Sequence, residues 1–139
     1  MDKKTAAIRY YSQTGNTKKL AEAIGSAIGV KAESISVPVK EHVDVLFLGA
    51  SVYWAGINAG IKQFIWSLDP ALIGRAVVFS TSALTEFAFP SVKKCFEERG
   101  IKVEERNFYC RGQFYAIHSG KPDHDDLKAV GNFAKQVME

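Results

Sequence analysis

Three observations predict an α/β fold, a doubly wound five-stranded parallel sheet in the order 2-1-3-4-5 with helices on both faces. Short apolar runs alternate with stretches of helical periodicity along the whole sequence. One run, Val43 to Ala50, is almost continuously apolar, as strands buried on both faces of a parallel sheet are. A polar segment with one glycine, Ser12 to Thr17, stands between the first apolar run and the first helical stretch, at the kind of strand end where such sheets bind ligands.

Thr5 to Tyr11 is apolar and aromatic without helical spacing and reads as the first strand. Asn16 to Ile28 puts Leu20, Ala23, Ile24, Ala27 and Ile28 at helical intervals, with Gly29 as the stop. Lys31 to Val37 alternates like a half-exposed edge strand and is closed by Pro38. Val43 to Ala50 belongs at the centre of the sheet. Ala59 to Leu68 turns Ile61, Phe64, Ile65 and Leu68 to one helical face, and Asp69-Pro70 and Gly74 break the chain before a strand at Arg75 to Ser80. Pro90 to Arg99 is a helix with Val92, Cys95 and Phe96 inward, ended by Gly100, and Val103 to Cys110 is the fifth strand. Asp125 to Met138 closes the series as an amphipathic helix through Leu127, Val130, Phe133, Ala134 and Val137.

A length of 139 residues fits one domain, residues 1–139, and 47% hydrophobic with 24% charged residues excludes a disordered or low-complexity chain. The net charge of +3 is too mild for a dedicated nucleic-acid binder, and the lysine pairs Lys3-Lys4, Lys18-Lys19 and Lys93-Lys94 read as solvated surface. No membrane span is expected, because the stretch from Val43 to Ile61 is interrupted by Asp44, three glycines, Ser51 and Asn58. The N-terminus lacks the features of a signal peptide, so the expected location is the cytoplasm, with Cys95 and Cys110 as free thiols.

Ser12-Gln13-Thr14-Gly15-Asn16-Thr17 packs three hydroxyls, two amides and a glycine into the start of a helix. Backbone N–H groups freed at a helix start point outward with the positive end of the dipole, which makes an anion cradle. With no Lys or Arg inside it, the loop suits a terminal phosphate monoester held by hydrogen bonds. Neither G-x-x-x-x-G-K-[ST] nor G-x-G-x-x-G follows the first strand. A helix cap alone needs one such residue, not six.

This segment resembles the [ST]-x-T-G-x-T phosphate loop of flavodoxins, in the family's position after the first strand, and element order and length are similar to the short-chain members over essentially the whole chain. The resemblance implies a flavodoxin-like fold and FMN as cofactor, with Ser12, Gln13, Thr14, Gly15, Asn16 and Thr17 as phosphate ligands. After the third strand, Ser51-Val52-Tyr53-Trp54-Ala55-Gly56 offers two adjacent aromatics and a small-residue turn to a flat conjugated ring. Tyr53 matches the family's stacking position, and Trp54 stands where the family commonly has glycine, so either ring is a candidate for stacking. After the fourth strand, Thr81, Ser82 and Ala83 are placed to offer backbone donors to the pyrimidine edge, and Phe87 is the aromatic candidate.

Cys110, followed by Arg111, reads either as a thiol made reactive by a neighbouring cation or as a small buried side chain. His42, His118 and His124 have no metal-ligand spacing, and Asp123, Asp125 and Asp126 read as helix-start acids. No catalytic acid/base set is visible, so the chemistry is expected to be the cofactor's. The function implied is electron transfer between redox partner proteins through non-covalently bound FMN. Typical flavodoxins are strongly acidic and this chain is not, which brings in an FMN-dependent oxidoreductase acting on a small redox substrate of the quinone or porphyrinogen type. A third reading is an interaction module with a degenerate flavin site. A response-regulator receiver of the same topology is excluded, since Tyr11-Ser12 and Ala50-Ser51 stand where it needs acids.

Overall fold

The computed structural model describes residues 4–12, 15–52, 59–82, 89–111 and 120–139. Strands β1 (Ala6–Tyr10), β2 (Ala32–Ser34), β3 (Val43–Val52), β4 (Ile73–Ser82) and β5 (Phe108–Arg111) alternate with helices α1 (Asn16–Ile28), α2 (Ala59–Ser67), α3 (Phe89–Glu98) and α4 (His124–Val137). They form one parallel sheet in the order β2-β1-β3-β4-β5, the predicted topology. The central strand β3 pairs along its whole length with β4, from Val43 opposite Ile73 to Val52 opposite Ser82.

Alternation along the strands divides the core between two faces. Ile8, Val45, Phe47, Val77 and Phe79 meet Leu20 and Ile24 of α1 and Val130, Ala134 and Val137 of α4. Ala7, Leu46, Leu48, Ala50, Ala76 and Val78 meet Ile61, Phe64 and Ile65 of α2 and Val92 and Phe96 of α3. The predicted inward residues of α2 are buried. On α3, Val92 and Phe96 are buried while Cys95 is half-buried at the margin of the core.

The strand boundaries depart from the sequence expectation in three places. β2 is only Ala32–Ser34, shorter than Lys31 to Val37, because Ser34 Oγ accepts from the Ser36 N–H at 3.1 Å and Val37 N–H donates back to Ser34 O at 3.0 Å, closing a turn. β3 and β4 run further than expected, to Val52 and Ser82, as mutual pairing carries them past the core. The fifth strand is interrupted. Val103 makes an isolated bridge to Ala76, and pairing resumes only at Phe108 opposite Phe79, so five steps of chain cover what β4 covers in three. The excess is the charged run from Glu104 to Asn107. Glu104 keeps its N–H on Ala76 O at 2.8 Å, and its carboxylate sits 3.1 Å from Arg75 and pairs with Arg106, so the ladder is left only after Glu104.

On the α2–α3 face, buried Arg9 lies against the segment that follows β2. Its Nε donates to Val37 O at 2.8 Å, Nη1 to Ile8 O at 3.0 Å and Nη2 to Pro38 O at 3.1 Å, while Glu33 lies 3.3 Å away. The guanidinium thereby holds the segment from β2 to β3 against the sheet. At the last helix, Asp123 and Asp126 form a reciprocal capping box, accepting from each other's N–H at 3.0 and 2.9 Å.

Candidate functional site

All five strands are parallel, so Ser12, Ser51, Val52, Thr81 and Ser82 fall on one carboxyl edge of the sheet. Ser51 is opposite Thr81, and Val52 is opposite Ser82. On the far side of β4, Thr81 is opposite Cys110. Gln13, Thr14, Tyr53, Trp54, Ala55, Gly56, Ala83 and Phe87 lie outside the described residues, as does His118.

Helix α1 opens on this edge with Gly15 at its N-cap. Gly15 has φ +88°, a left-handed conformation that favours glycine, and its N–H donates to Ser12 Oγ at 3.0 Å. A glycine brings no side chain to cap the first turn, and that turn carries no acidic residue. Helix α4 differs, since its own aspartates occupy the corresponding position. Among the described residues, no carboxylate of α1's first turn faces the positive end of the helix.

Asn16 and Thr17 follow at 3% and 0% exposure. Thr17 is turned into the sheet, with Oγ1 3.0 Å from Thr81 Oγ1 and 3.4 Å from Ala50 O. Beneath it lies Gly49 of β3. A Cβ there would stand 2.7 Å from Thr17 Cγ2 and 2.5 Å from the Phe79 ring, so only a glycine lets α1 seat this deeply. Gly49 escaped the sequence reading, although a glycine inside a buried apolar strand is a signal of close backbone approach.

A cavity of about 570 Å³ adjoins Ser12 on the α2 side. Tyr10, Tyr11, Ile35 and Phe64 give it aromatic and apolar walls, and Ser34, Ser36, Gln63 and Ser67 give it neutral polar groups. Gly60, Gln63, Phe64 and Ser67 recur at helical spacing on the face of α2 that looks into it. No sequence signal pointed to this cavity, because it lies between the end of β1, the turn after β2 and α2, which are far apart in the chain.

Cys110 is half-buried, and burial, with Asp126 adding to it, pushes its thiol up to about 12. That direction favours the packed side chain over the activated thiol. Asp123 moves the other way, to about 2, because Lys121 Nζ donates to it at 2.8 Å and the Asp126 N–H at 3.0 Å. Among the described residues no group of three or more His, Cys, Asp or Glu is placed to hold a metal ion. Among them, too, no helix is long and apolar enough to cross a membrane.

The sequence pattern of the family described as "Flavodoxin domain" matches residues 7–114. No curated protein sequence matches the chain. Among solved structures, a flavodoxin from the domain Archaea superposes with a TM-score of 0.78 at 21% identity, covering 96% of this chain and 95% of that one. Flavodoxin from Megasphaera elsdenii, solved in its two-electron reduced state, gives 0.65 at 21% identity over 94% and 98%. Rubredoxin oxygen:oxidoreductase from Desulfovibrio gigas gives 0.72 at 15% identity, and there 96% of this chain matches only 35% of the larger protein. At these identities the structural likenesses speak to fold.

Proposed function

This chain belongs to the flavodoxin domain family, and from that premise we propose that it binds FMN non-covalently and passes electrons between redox partners. The observation that carries the reading is the open start of α1, with a left-handed glycine cap, no acid in the first turn and a loop of hydroxyls and amides without cations. That donor set suits a phosphate monoester, so Ser12, Gln13, Thr14, Gly15, Asn16 and Thr17 would hold the phosphate, Thr17 through its backbone N–H because its buried hydroxyl is taken by Thr81. Ser51, Val52, Tyr53, Trp54, Ala55 and Gly56 on one side, and Thr81, Ser82, Ala83 and Phe87 on the other, would flank the ring. Bound FMN supplies one- and two-electron chemistry, which no side-chain set in this chain offers. The residues' work is to hold the phosphate, orient the ring and limit water at it.

The cavity beside Ser12 favours a second reading, an FMN-dependent oxidoreductase. Its 570 Å³ and its uncharged walls suit a neutral aromatic substrate, such as a quinone, next to the cofactor loop.

Titration with FMN, riboflavin and FAD, followed by visible absorption and flavin fluorescence, tests the first reading. Stoichiometric FMN binding with riboflavin far weaker is expected. A folded protein with no saturable FMN binding would sink it. Turnover of a soluble quinone by the loaded protein would then separate enzyme from carrier.

A further inference from the structure

Helices of a doubly wound sheet run against its strands, so α1, α2 and α3 all begin at the carboxyl edge that carries the candidate site. Their opening halves hold Lys18 and Lys19, Lys62, and Lys93, with Lys94 just past the middle of α3, and none of the three has an acidic residue in its first turn. Lys18, Lys19, Lys62 and Lys94 are exposed, and none takes part in an ion pair among the described residues. Lys93 is committed to Glu105 at 2.9 Å. In sequence, residues 13–14, 53–58, 83–88 and 112–119 add one acid, Glu86, and no Lys or Arg. The start of α4 has the opposite sign. There Asp123 and Asp126 share Lys121, and exposed Asp125 stands between them.

Exposed Glu22 follows the lysines of α1 by one turn, and Glu97 and Glu98 follow those of α3, so the cationic part of the edge is the first turns of α1 and α2 with Lys94 beside them, and the α4 corner is acidic. Helix dipoles reinforce the positive part. The geometry points to a docking face for an acidic redox carrier protein, whose carboxylates lie over the starts of α1, α2 and α3 and whose orientation is set by repulsion from the α4 corner. The word redox rests on the flavin reading above, whereas the docking rests on the charges. A polynucleotide fits less well. Helix α1 lies on one face of the sheet and α2 and α3 on the other, so the lysines bracket the site loops instead of forming a continuous track for a phosphate backbone.

The test measures the affinity of the whole protein for two probes, a plant-type [2Fe-2S] ferredoxin as acidic carrier and cytochrome c as basic carrier. Each is titrated at about 20 and about 200 mM NaCl, where screening lengths differ severalfold. Ferredoxin is expected to bind and to weaken about tenfold or more at the higher salt, with cytochrome c much weaker at both. Lys62→Glu combined with Lys94→Glu should lower ferredoxin affinity about tenfold. Lys31→Glu with Lys135→Glu, the same charge change at the opposite edge, should lower it less than about threefold. Equal effects of the two pairs, preference for cytochrome c, or a single-stranded DNA oligomer binding as tightly as ferredoxin would each overturn the proposal. FMN affinity, measured on the same samples, reports separately: its absence with docking intact sinks the flavin reading alone, and its retention in Lys62→Glu/Lys94→Glu shows that the variant is folded.

Discussion

The hydroxyls of Thr17 and Thr81 meet at 3.0 Å, joining the first turn of α1 to the carboxyl end of β4 across the top of β3. Both side chains are buried, and Thr17 Oγ1 also lies 3.4 Å from Ala50 O of the intervening strand. A residue of the phosphate-loop motif thus turns its side chain toward the scaffold. The opening of the helix is held in register with two strands whose ends carry the other loops of the site.

Removing that hydroxyl without changing shape isolates its contribution. Thr17→Val is expected to cost about 1–3 kcal/mol of stability, because buried polar partners lose a hydrogen bond. Thr81→Val should behave alike, and the double variant should cost less than the two singles together, by about 1 kcal/mol. Urea unfolding of the cofactor-free protein measures all three. Strict additivity would show that the two hydroxyls do not act as a pair.

Gly49→Ala tests how deeply α1 must seat. The new Cβ meets the Phe79 ring at 2.5 Å and Thr17 Cγ2 at 2.7 Å, and overpacking of this kind costs about 1–3 kcal/mol. Since the displaced neighbour is the helix start, FMN affinity should fall as well. Gly74→Ala, where the Cβ meets Asp44 O at 2.5 Å at the far end of the sheet, should lower stability but leave FMN affinity unchanged. Unfolding curves and FMN titrations on both variants decide the matter.

Arg9→Lys keeps a positive charge yet loses the planar fork that serves Ile8 O, Val37 O and Pro38 O together. A loss of about 2 kcal/mol or more is expected from the carbonyls left without donors. Amide exchange at Val39 and Lys40 should quicken by more than global unfolding explains. Unchanged exchange there would mean that the segment holds its place without Arg9.

Acid should weaken the cap of α4. The carboxyl of Asp123 is held at about 2 against an ordinary 3.8, by the hydrogen bond from Lys121 and then by the Asp126 N–H. A depressed carboxylate stabilises the fold above its unfolded value, and that contribution disappears as pH falls from 3.8 through about 2. Asp123→Asn keeps a cap-forming side chain but removes the titration, so its melting temperature should fall less steeply across this window than that of the wild type. Parallel melting curves would show that Asp123 contributes nothing to the acid limb.

Elements whose patterns rest on their own residues were legible in advance. The apolar run of β3, the spacing of α1 and α2 and the glycine stops needed no tertiary information. The errors fell where a distant partner intervenes. Glu104 still donates its N–H to Ala76 O, while its carboxylate pairs with Arg75, about thirty residues earlier, and nothing in the run Glu104 to Asn107 announces that partner. β2 could have been shortened from sequence, since Ser34 and Ser36 are spaced for a hydroxyl turn, but strand alternation obscured the signal.

In the site the division is similar. Ser12 to Thr17 stood out in the sequence because its small, polar and glycine residues are consecutive, and a turn at a helix start is a local matter. Gly15 adopts the left-handed φ that such a turn requires.

The order of strand and helix, the hydrophobic faces of the helices and the phosphate-loop motif are local properties, and the sequence by itself determined them, since periodicity and turn chemistry act over a few residues. Long-range packing set the rest: Thr17 reaches Thr81, Gly49 admits the helix start, Arg9 binds the carbonyls of Val37 and Pro38, and a cavity opens beside Ser12. Each of these joins residues far apart in the chain, and their contact follows from burying both faces of one sheet at once, which no short window of sequence encodes.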